Sequence, residues 1–418
     1  MQNLEIDSKR LWDTIIETAR FGITVKDGIC RQTLTVADRQ VRDWFVNACT
    51  DIGCAITVDD MGNTFACREG KNNALPPIAI GSHLDTQPSG GKFDGIVGVL
   101  SGLEVLRTLH DAGYITNAPI EVINWTNEEG SRFAPPMVGS GVFAGVFSHE
   151  FAFNLHDREG KKFHEELECI GYKGKTKCGN HKLDSYIELH IEQGPVLGVK
   201  NKLIGIVTGA QGMRWYEVTV TGYESHAGCT PMQLRKDAML GCARMIEGIN
   251  QLALNHAPLA VSTVGLVEVR PNSRNVIPGA VFFSVDLRHP DSTVLQQMDS
   301  ELVTVITGIA ADLNLEVQCH NNWYSPSVAF DEHYINVVRA AVEGLRISHC
   351  DIISGAGHDA VYVSRVAPTV MVFIPCENGI SHNEQEKAEP DHVAAGANVL
   401  LNTIITRDKN RRYQNKIS

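Results

Sequence analysis

Several features that mark common protein classes are missing from the sequence. No apolar run approaches the length of a membrane span, and the first ten residues contain no apolar segment of the kind found in secretory signals. The eleven cysteines are odd in number, scattered, and never spaced as Cys-x-x-Cys. In a chain of this length, such cysteines are typical of free thiols in a reducing compartment. We therefore expect a cytoplasmic protein that does not bind a membrane.

Basic residues are in the minority. The chain has 37 Lys and Arg residues against 49 Asp and Glu residues, a net charge of −12. Nucleic-acid-binding domains usually carry a basic stripe, so we expect no nucleic-acid partner. The overall composition is that of a globular protein, with 43% hydrophobic and 21% charged residues. The 418 residues can bury a large core and favour two domains.

Short apolar runs that end in polar clusters recur along the chain. We interpret each run as a β-strand that delivers polar residues at its carboxyl end, the edge at which open α/β sheets bind ligands. Helical spacing over 96–110, between two of these runs, predicts a strand–helix–strand unit. Helical spacing also occurs over 11–20, 34–50 and 392–405. The strand-like runs are Ile78–Ile80, Ile120–Trp125, Tyr186–Leu189, Asp351–Ser354 and Thr369–Ile374.

The segment 214–327 has a different order of predicted elements. Its sequence predicts strands at 214–222, 261–269, 281–288 and 315–319, and helices at 234–252 and 292–313. This β-α-β-β-α-β order is the ferredoxin-like pattern. Because strand-like runs with polar ends resume afterwards, we predict a ferredoxin-like domain at 214–327, inserted into a catalytic α/β domain of residues 1–213 and 328–418.

Histidine and carboxylate residues follow four of the predicted strands. Imidazole and carboxylate ligands without thiolate suit zinc, manganese, cobalt or nickel. Three histidines and two carboxylates can fill two metal sites if one carboxylate bridges, and paired metals about 3.5–4 Å apart can polarise a carbonyl and activate a water. One of two adjacent glutamates would then be a ligand and the other a general base. The clusters are His83-Leu84-Asp85 with Asp94, Glu128-Glu129, His190, and His382.

Each of these residues is weak evidence when taken alone, because a chain with sixteen histidines places some of them near carboxylates by chance. The position of every cluster after an apolar run, and among glycines, favours a functional site.

Four segments resemble those of a known family, the aminoacylase/carboxypeptidase family of di-metal amidohydrolases. Within it they look like the branch of N-carbamoyl-L-amino-acid hydrolases, β-ureidopropionases and allantoate amidohydrolases. The similarity extends from about residue 30 to the last predicted helix, and the motifs follow in the same order with compatible spacing. The segments are GSHLDTQPSGGKFDG (81–95), NWTNEEGSRF (124–133), ELHIEQGP (188–195) and GISHNEQE (379–386).

The resemblance implies a role for each candidate ligand. Asp94 would be a carboxylate that bridges two metal ions. His83 and His190 would complete one metal site, and Glu129 and His382 the other. Many relatives outside this branch have a carboxylate at the position of His190, so the histidine favours the carbamoylase side of the family.

The resemblance also implies the groups that act on the substrate. Glu128 would be the general base, Asp85 would orient His83, and His226 would stabilise the oxyanion, reaching into the site of a partner subunit. Asn275 and Arg288 would hold the substrate carboxylate, since a guanidinium can bind a carboxylate through two hydrogen bonds. The further expected substrate contacts are Gln193 and Gln211, to the ureido group, and Gly357 and His358, in a glycine loop.

Together these expectations describe a two-domain α/β enzyme with a di-metal aminopeptidase-like domain and a lid that also forms a homodimer. It would hydrolyse the carbamoyl group of an N-carbamoyl α- or β-amino acid to the amino acid, ammonia and carbon dioxide. Allantoate amidohydrolase is the main alternative, and a dipeptidase or acyl-amino-acid hydrolase is the third. A catalytically silent metal-binding protein on the same fold is the alternative from another class.

Overall fold

The structure, a computed structural model, describes residues 4–414 and divides into two compact units. The first unit contains the described residues up to Gly209 and from Ala329 onward, and the second is Ala210–Val328. The inserted domain predicted at 214–327 falls within this second unit. The fold is mixed α/β, as the sequence predicted.

A nine-stranded sheet forms the centre of the first unit, with the strand order β1-β2-β4-β3-β5-β16-β6-β14 and β15 paired to β6. Strands and helices are numbered in chain order over the whole described chain. The strands of this sheet are β1 (Ala55–Val58), β2 (Thr64–Arg68), β3 (Ile78–His83), β4 (Ile120–Trp125), β5 (Ser185–Ile191), β6 (Ile204–Ala210), β14 (Val328–Ala329), β15 (His349–Ser354) and β16 (Thr369–Ile374).

Four neighbouring strands of this sheet run in the same direction. Strand β3 pairs in parallel with β4 and with β5, and β5 pairs in parallel with β16. Every residue of these four strands is buried, which explains why they appear in the sequence as nearly continuous apolar runs. Their carboxyl ends therefore meet at a single edge of the sheet.

Helices cover this sheet. Helix α3 follows β3 and is buried over almost its whole circumference. Apolar residues therefore occur on most of its faces and not on one face only. Helix α2 begins where the Thr35 side chain accepts a hydrogen bond from the backbone N–H of Asp38. The helices of this unit are α1 (Ser8–Thr18), α2 (Val36–Thr50), α3 (Ile96–Asp111), α4 (Val138–Phe143), α5 (His149–Phe153), α6 (Phe163–Cys169), α7 (Val196–Lys200), α10 (Glu332–Gly344), α11 (Asp359–Val363) and α12 (Pro390–Gln414).

The second unit has an antiparallel sheet with the order β10-β12-β7-β13, in which β9 also pairs with β12, and a separate β8–β11 pair. Alternate residues of β12 are buried, and these join helices α8 and α9 in one apolar core. The elements are β7 (Gly212–Thr221), β8 (Ser225–His226), α8 (Ala238–Asn255), β9 (Val261–Thr263), β10 (Val267–Arg270), β11 (Val276–Ile277), β12 (Ala280–His289), α9 (Ser292–Asp312) and β13 (Glu316–Ser325).

Two predicted elements of this unit differ from the structure for local reasons. Helix α8 begins at Ala238 and not at Leu234, because the Asp237 side chain caps it by accepting the N–H groups of Met239 and Leu240. The run 261–269, predicted as one strand, forms the two short strands β9 and β10, which both pair with β12.

Candidate metal centre and active site

The carboxyl edge of the four parallel strands holds the predicted ligands. His83 is the last residue of β3, and His190 lies within β5, one residue before its end. Glu129 follows β4, and His382 lies in the loop that follows β16. Asp94 lies just before α3, which starts after Gly95, a residue with a φ of 68°. A side chain at Gly95 would collide with the His83 ring, so this close approach requires glycine.

These five residues form two groups that share Asp94. His83, Asp94 and His190 make up the first ligand group, and Asp94, Glu129 and His382 make up the second. Within each group the candidate ligand atoms all lie within 4.8 Å of one another.

The two carboxylate oxygens of Asp94 face different groups. Oδ1 lies 3.1 Å from His190 Nε2 and 3.8 Å from His83 Nε2. Oδ2 lies 3.4 Å from His382 Nε2, which in turn lies 3.5 Å from Glu129 Oε2. This is the arrangement that a carboxylate needs in order to bridge two cations.

Backbone contacts set the protonation of the two buried histidines. His83 Nδ1 lies 2.8 Å from the carbonyl oxygen of Asp85, and His190 Nδ1 lies 2.9 Å from that of Ile191. A carbonyl oxygen can only accept, so each Nδ1 carries a proton, and Nε2 is the ring nitrogen that faces the ligand group. The backbone N–H of Gly95 donates to His190 Nε2 over 3.2 Å, which agrees with this assignment. Burial also lowers the pKa of His83 to about 4 and keeps it neutral. Imidazoles oriented in this way, together with buried carboxylates, fit divalent cations.

The side chain of Asp85 has a different role from the predicted one. Its carboxylate lies 3.9 Å from His83 Nδ1, and it is the Asp85 backbone carbonyl that orients the imidazole. The carboxylate instead accepts the backbone N–H groups of Glu128 and Glu129, each over 3.3 Å. Asp85 therefore fixes the loop that carries both glutamates.

Glu128 is buried beside the first ligand group, with its Oε2 atom 3.4 Å from His83 Nε2. Burial and the neighbouring carboxylates, led by that of Asp359, raise the pKa of Glu128 well above its usual range. A carboxyl group with a raised pKa is suited to take up and hold a proton.

Gln193, predicted to contact the substrate, lies against the second ligand group. Its amide nitrogen lies 2.9 Å from Asp94 Oδ2, 3.1 Å from Ser381 Oγ and 3.4 Å from His382 Nε2. Its φ of 57° is unusual for a residue other than glycine and aims the side chain at the cluster.

Two further residues at the cluster had no predicted role. Glu386 is buried, and its carboxylate accepts the N–H groups of Phe93 and Asp94 and the hydroxyl of Ser381. Gln87 donates through its backbone N–H and its side-chain amide to Glu129, over 3.0 and 2.6 Å. Both residues fall inside segments that carry the family resemblance, and that position was the one available signal.

A cavity of about 850 Å³ adjoins Gln87 and the loop after Glu129. Its volume is that of a small-molecule site. Its lining is mostly polar and charged: Gln32, Thr35, Gln87, Pro88, Gly130, Ser131, Arg132, Ala134, His156, Asp157, Arg158, Glu159 and Lys161.

His358 is buried behind His190, with the two ring centroids 4.4 Å apart. Its Nε2 atom lies 3.1 Å from the Ser354 hydroxyl, and Gly357 precedes it in the loop between β15 and α11. The structure thus places His358 against a candidate ligand.

The remaining predicted residues lie in the second unit. The exposed His226 accepts the N–H groups of Gly228 and Cys229 at Nδ1, over 3.0 and 3.2 Å. Its Nε2 therefore carries the ring proton and is a donor. The backbone carbonyl of Asn275 accepts the N–H of Ala227 over 3.0 Å, next to the β8–β11 pair.

Arg288 belongs to strand β12 of the large sheet of this unit, and Gln211 immediately precedes strand β7 of the same sheet. The Arg288 side chain projects near the end of β12, and its Nη2 atom lies 2.7 Å from Asp286 Oδ2. Gln211 is buried, and in the chain it is the single residue between the end of β6 and the start of β7.

Comparisons with known proteins show which enzymes this chain is similar to. The profile of peptidase family M20/M25/M40 matches residues 79–406. An N-carbamoyl-L-amino-acid amidohydrolase of Rhizobium meliloti is 46% identical over 97% of both chains. An allantoate amidohydrolase of Bacillus subtilis is 31% identical over 94% of this chain and 96% of its own. The crystal structure of a hydantoinase/carbamoylase family amidase from Burkholderia vietnamiensis is 53% identical, covers 97% of this chain and 98% of its own, and has a TM-score of 0.93.

The chain belongs to the M20/M25/M40 peptidase family. It is a hydrolase that acts on carbon–nitrogen bonds, and enzymes of this family use divalent metal ions. Among the described residues, 4–414, no helix is both long and apolar enough to cross a membrane.

Proposed function

We propose that the protein hydrolyses the carbamoyl group of N-carbamoyl amino acids to the free amino acid, ammonia and carbon dioxide. The observation that carries this proposal is the pair of ligand groups that share Asp94, beside the buried Glu128. The relative from Rhizobium meliloti, at 46% identity over nearly the whole chain, bears the name of this activity.

The site would hold two divalent cations, zinc or else manganese, cobalt or nickel. When bound, such ions polarise a carbonyl and lower the pKa of a water molecule. Glu128 would take the proton of the attacking water and deliver it to the leaving nitrogen. The Nε2–H group of His226 would donate a hydrogen bond to the carbonyl oxygen and stabilise the negative charge that develops there.

The second unit would be a ferredoxin-like lid that recognises the substrate. Its order of elements, β7-α8-β9/β10-β12-α9-β13, and its sheet order support this assignment. Arg288 and Asn275 would bind the substrate carboxylate, with Asp286 orienting the guanidinium. Gln193 and Gln211 would contact the ureido group.

Allantoate hydrolysis is the second candidate, because the Bacillus subtilis allantoate amidohydrolase is also similar over nearly the whole chain. Allantoate likewise presents a carboxylate and ureido groups, so the same residues could bind it.

Ammonia release distinguishes the two candidates. The protein, loaded with manganese or zinc, is assayed with N-carbamoyl-β-alanine, an N-carbamoyl-L-α-amino acid and allantoate under the same conditions. The highest kcat/KM is expected for one of the carbamoyl amino acids. The highest value for allantoate would replace the proposed substrate, and no ammonia from any of the three would reject both candidates.

Replacing Arg288 with alanine should raise the KM for N-carbamoyl amino acids by roughly 10- to 100-fold, because hydrogen bonds to charged groups contribute about 1.5–3 kcal/mol. Arg288→Lys should recover only part of this effect, since lysine has no planar fork. Initial rates over a range of substrate concentrations give KM, and the exposed Arg244 on α8 supplies the control variant Arg244→Ala. An unchanged KM in Arg288→Ala would remove Arg288 from the carboxylate site.

We also propose that the protein is a homodimer and that His226 acts on the partner's substrate. His226→Ala should then lower kcat by about 10²- to 10³-fold, and Glu128→Gln should also be inactive. Mixed dimers of the two variants would contain one complete site, so random assembly should restore roughly a quarter of the wild-type activity. Activity is measured after co-expression, and the mass in solution is measured by light scattering. A monomeric mass, or mixtures as inactive as their components, would contradict the proposal.

A further inference from the structure

We propose that Glu386 is a positioning residue that joins the Asp94 loop to the His382 loop and thereby sets the affinity of the second ligand group for its metal ion. This inference rests on the proposed two-metal centre, although it concerns cation binding and not the substrate. Neither the ligand groups nor the substrate contacts proposed above include Glu386.

One oxygen of Glu386 fixes the backbone that carries Asp94. Oε1 accepts the N–H of Phe93 and the N–H of Asp94, each over 3.0 Å. These N–H groups are buried and lie just before α3. The two bonds hold the backbone at Phe93 and Asp94 in place. They therefore help to fix the position from which the Asp94 side chain leaves the backbone.

The other oxygen of Glu386 reaches the loop that carries His382. Oε2 lies 2.9 Å from the hydroxyl of Ser381, and that hydroxyl lies 3.0 Å from Asp94 Oδ2. Asp94 Oδ2 is the oxygen that faces His382. A single hydroxyl group therefore connects Glu386 to the oxygen that would serve the second ligand group.

The surroundings of Glu386 leave it little freedom to move. A Cβ atom at Gly91 would lie 2.3 Å from Glu386 Cβ, so only glycine allows this approach. His382 itself has a φ of 53°, a conformation that persists in a non-glycine residue only when the surrounding structure holds it. The Glu386 carboxylate contacts both the neighbouring Ser381 and the backbone of the Asp94 loop.

Glutamine at position 386 should preserve this function, and alanine should not. In Glu386→Gln the amide oxygen can accept both N–H groups while the amide nitrogen donates to Ser381, whose own proton is then available to Asp94. In Glu386→Ala two buried N–H groups lose their acceptor, and the two loops lose their connection through Glu386, while the contact between Ser381 and Asp94 Oδ2 remains. Glu384→Ala is the matched control, because Glu384 lies in the same loop but accepts from Thr24, in the N-terminal part of the chain.

The test is metal binding by the full-length protein in the absence of substrate. Zinc affinity is measured by competition with a chromophoric chelator, and the visible spectrum of the cobalt-loaded protein reports the ligand geometry. Glu386→Ala should weaken the lower-affinity zinc by about 10- to 100-fold and change the cobalt spectrum. Glu386→Gln and Glu384→Ala should remain within about threefold of the wild type, the range left by substitutions that preserve or avoid the outer hydrogen bonds of a metal ligand.

Two results would overturn the proposal: equal affinity losses in the alanine and glutamine variants, or no loss in either. If Glu386→Ala does not fold, Ser381→Ala replaces it, since this change removes the hydroxyl between Glu386 and Asp94 Oδ2, along with its contact to the Gln193 amide, but leaves the bonds from Glu386 to the N–H groups of Phe93 and Asp94 in place. Ser381→Ala should then weaken the same zinc ion, and an unchanged affinity would count against the proposal. Because no substrate is used, failure of the proposed carbamoyl activity would leave this result unaffected.

Discussion

Glu128→Gln is expected to lower kcat by about 10²- to 10⁴-fold, the usual contribution of a positioned general base, while the protein retains its metal ions. Glu128 is buried with its carboxylate beside the His83 ring, but it belongs to neither ligand group. Glutamine has the same length and keeps an oxygen at this position, although it cannot accept the proton of the attacking water. The measurements are kcat for ammonia release and metal content by plasma emission spectrometry.

The control for this prediction is Glu165→Gln, at an exposed position in α6, which should leave kcat unchanged. Activity close to that of the wild type in Glu128→Gln would show that another group transfers the proton. Loss of metal from Glu128→Gln would instead assign Glu128 to the ligand set.

Asp94→Asn should reduce the bound metal from two ions to one or none per chain. The two ligand groups use different oxygens of Asp94, and asparagine can offer an oxygen to only one of them. Substitutions beside metal ligands already cost about 10- to 100-fold in affinity, so loss of a ligand oxygen should cost more than about 100-fold at one site. Metal titration followed by calorimetry measures this change, and kcat should fall with the metal content.

Asp111→Asn, at the far and exposed end of the same helix α3, is the matched control and should still bind two ions. Two tightly bound ions in Asp94→Asn would show that Asp94 does not bridge. The Asp94→Asn variant also retains the backbone N–H at this position, which donates to Glu386, so the substitution leaves that hydrogen bond between the two loops in place.

The parts of the fold that follow from hydrophobic pattern could be predicted from the sequence. The runs that form β3, β4 and β16 are buried on both faces, so they appear as mainly apolar segments with clear ends. The order of elements in the second unit was also accessible, because its helices have one apolar face and its strand β12 alternates. Strands β1 and β2 were not predicted, because they are only four and five residues long.

The residues at the candidate site were accessible to different degrees. Candidate ligands could be named from residue type and position at strand ends, because metal chemistry restricts the choice to a few side chains. The contacts of Glu386 and Gln87 could not, since they join segments far apart in the chain. Asp85 does contact the His83 ring, but through its backbone carbonyl, because its carboxylate accepts the N–H groups of Glu128 and Glu129; residue type alone does not show which of these groups faces the imidazole.

The two ligand groups and the proposed carboxylate-binding residues are encoded in separate parts of the gene. All five candidate ligands lie before Ala210 or after Val328, whereas Asn275 and Arg288 lie within one uninterrupted stretch between them. Under the roles proposed for Asn275 and Arg288, mutations in that stretch would alter the binding of the substrate carboxylate while the codons for the ligands stay untouched. Exchange of that one segment between related enzymes would then transfer the proposed carboxylate-binding residues, together with His226, without altering any candidate ligand.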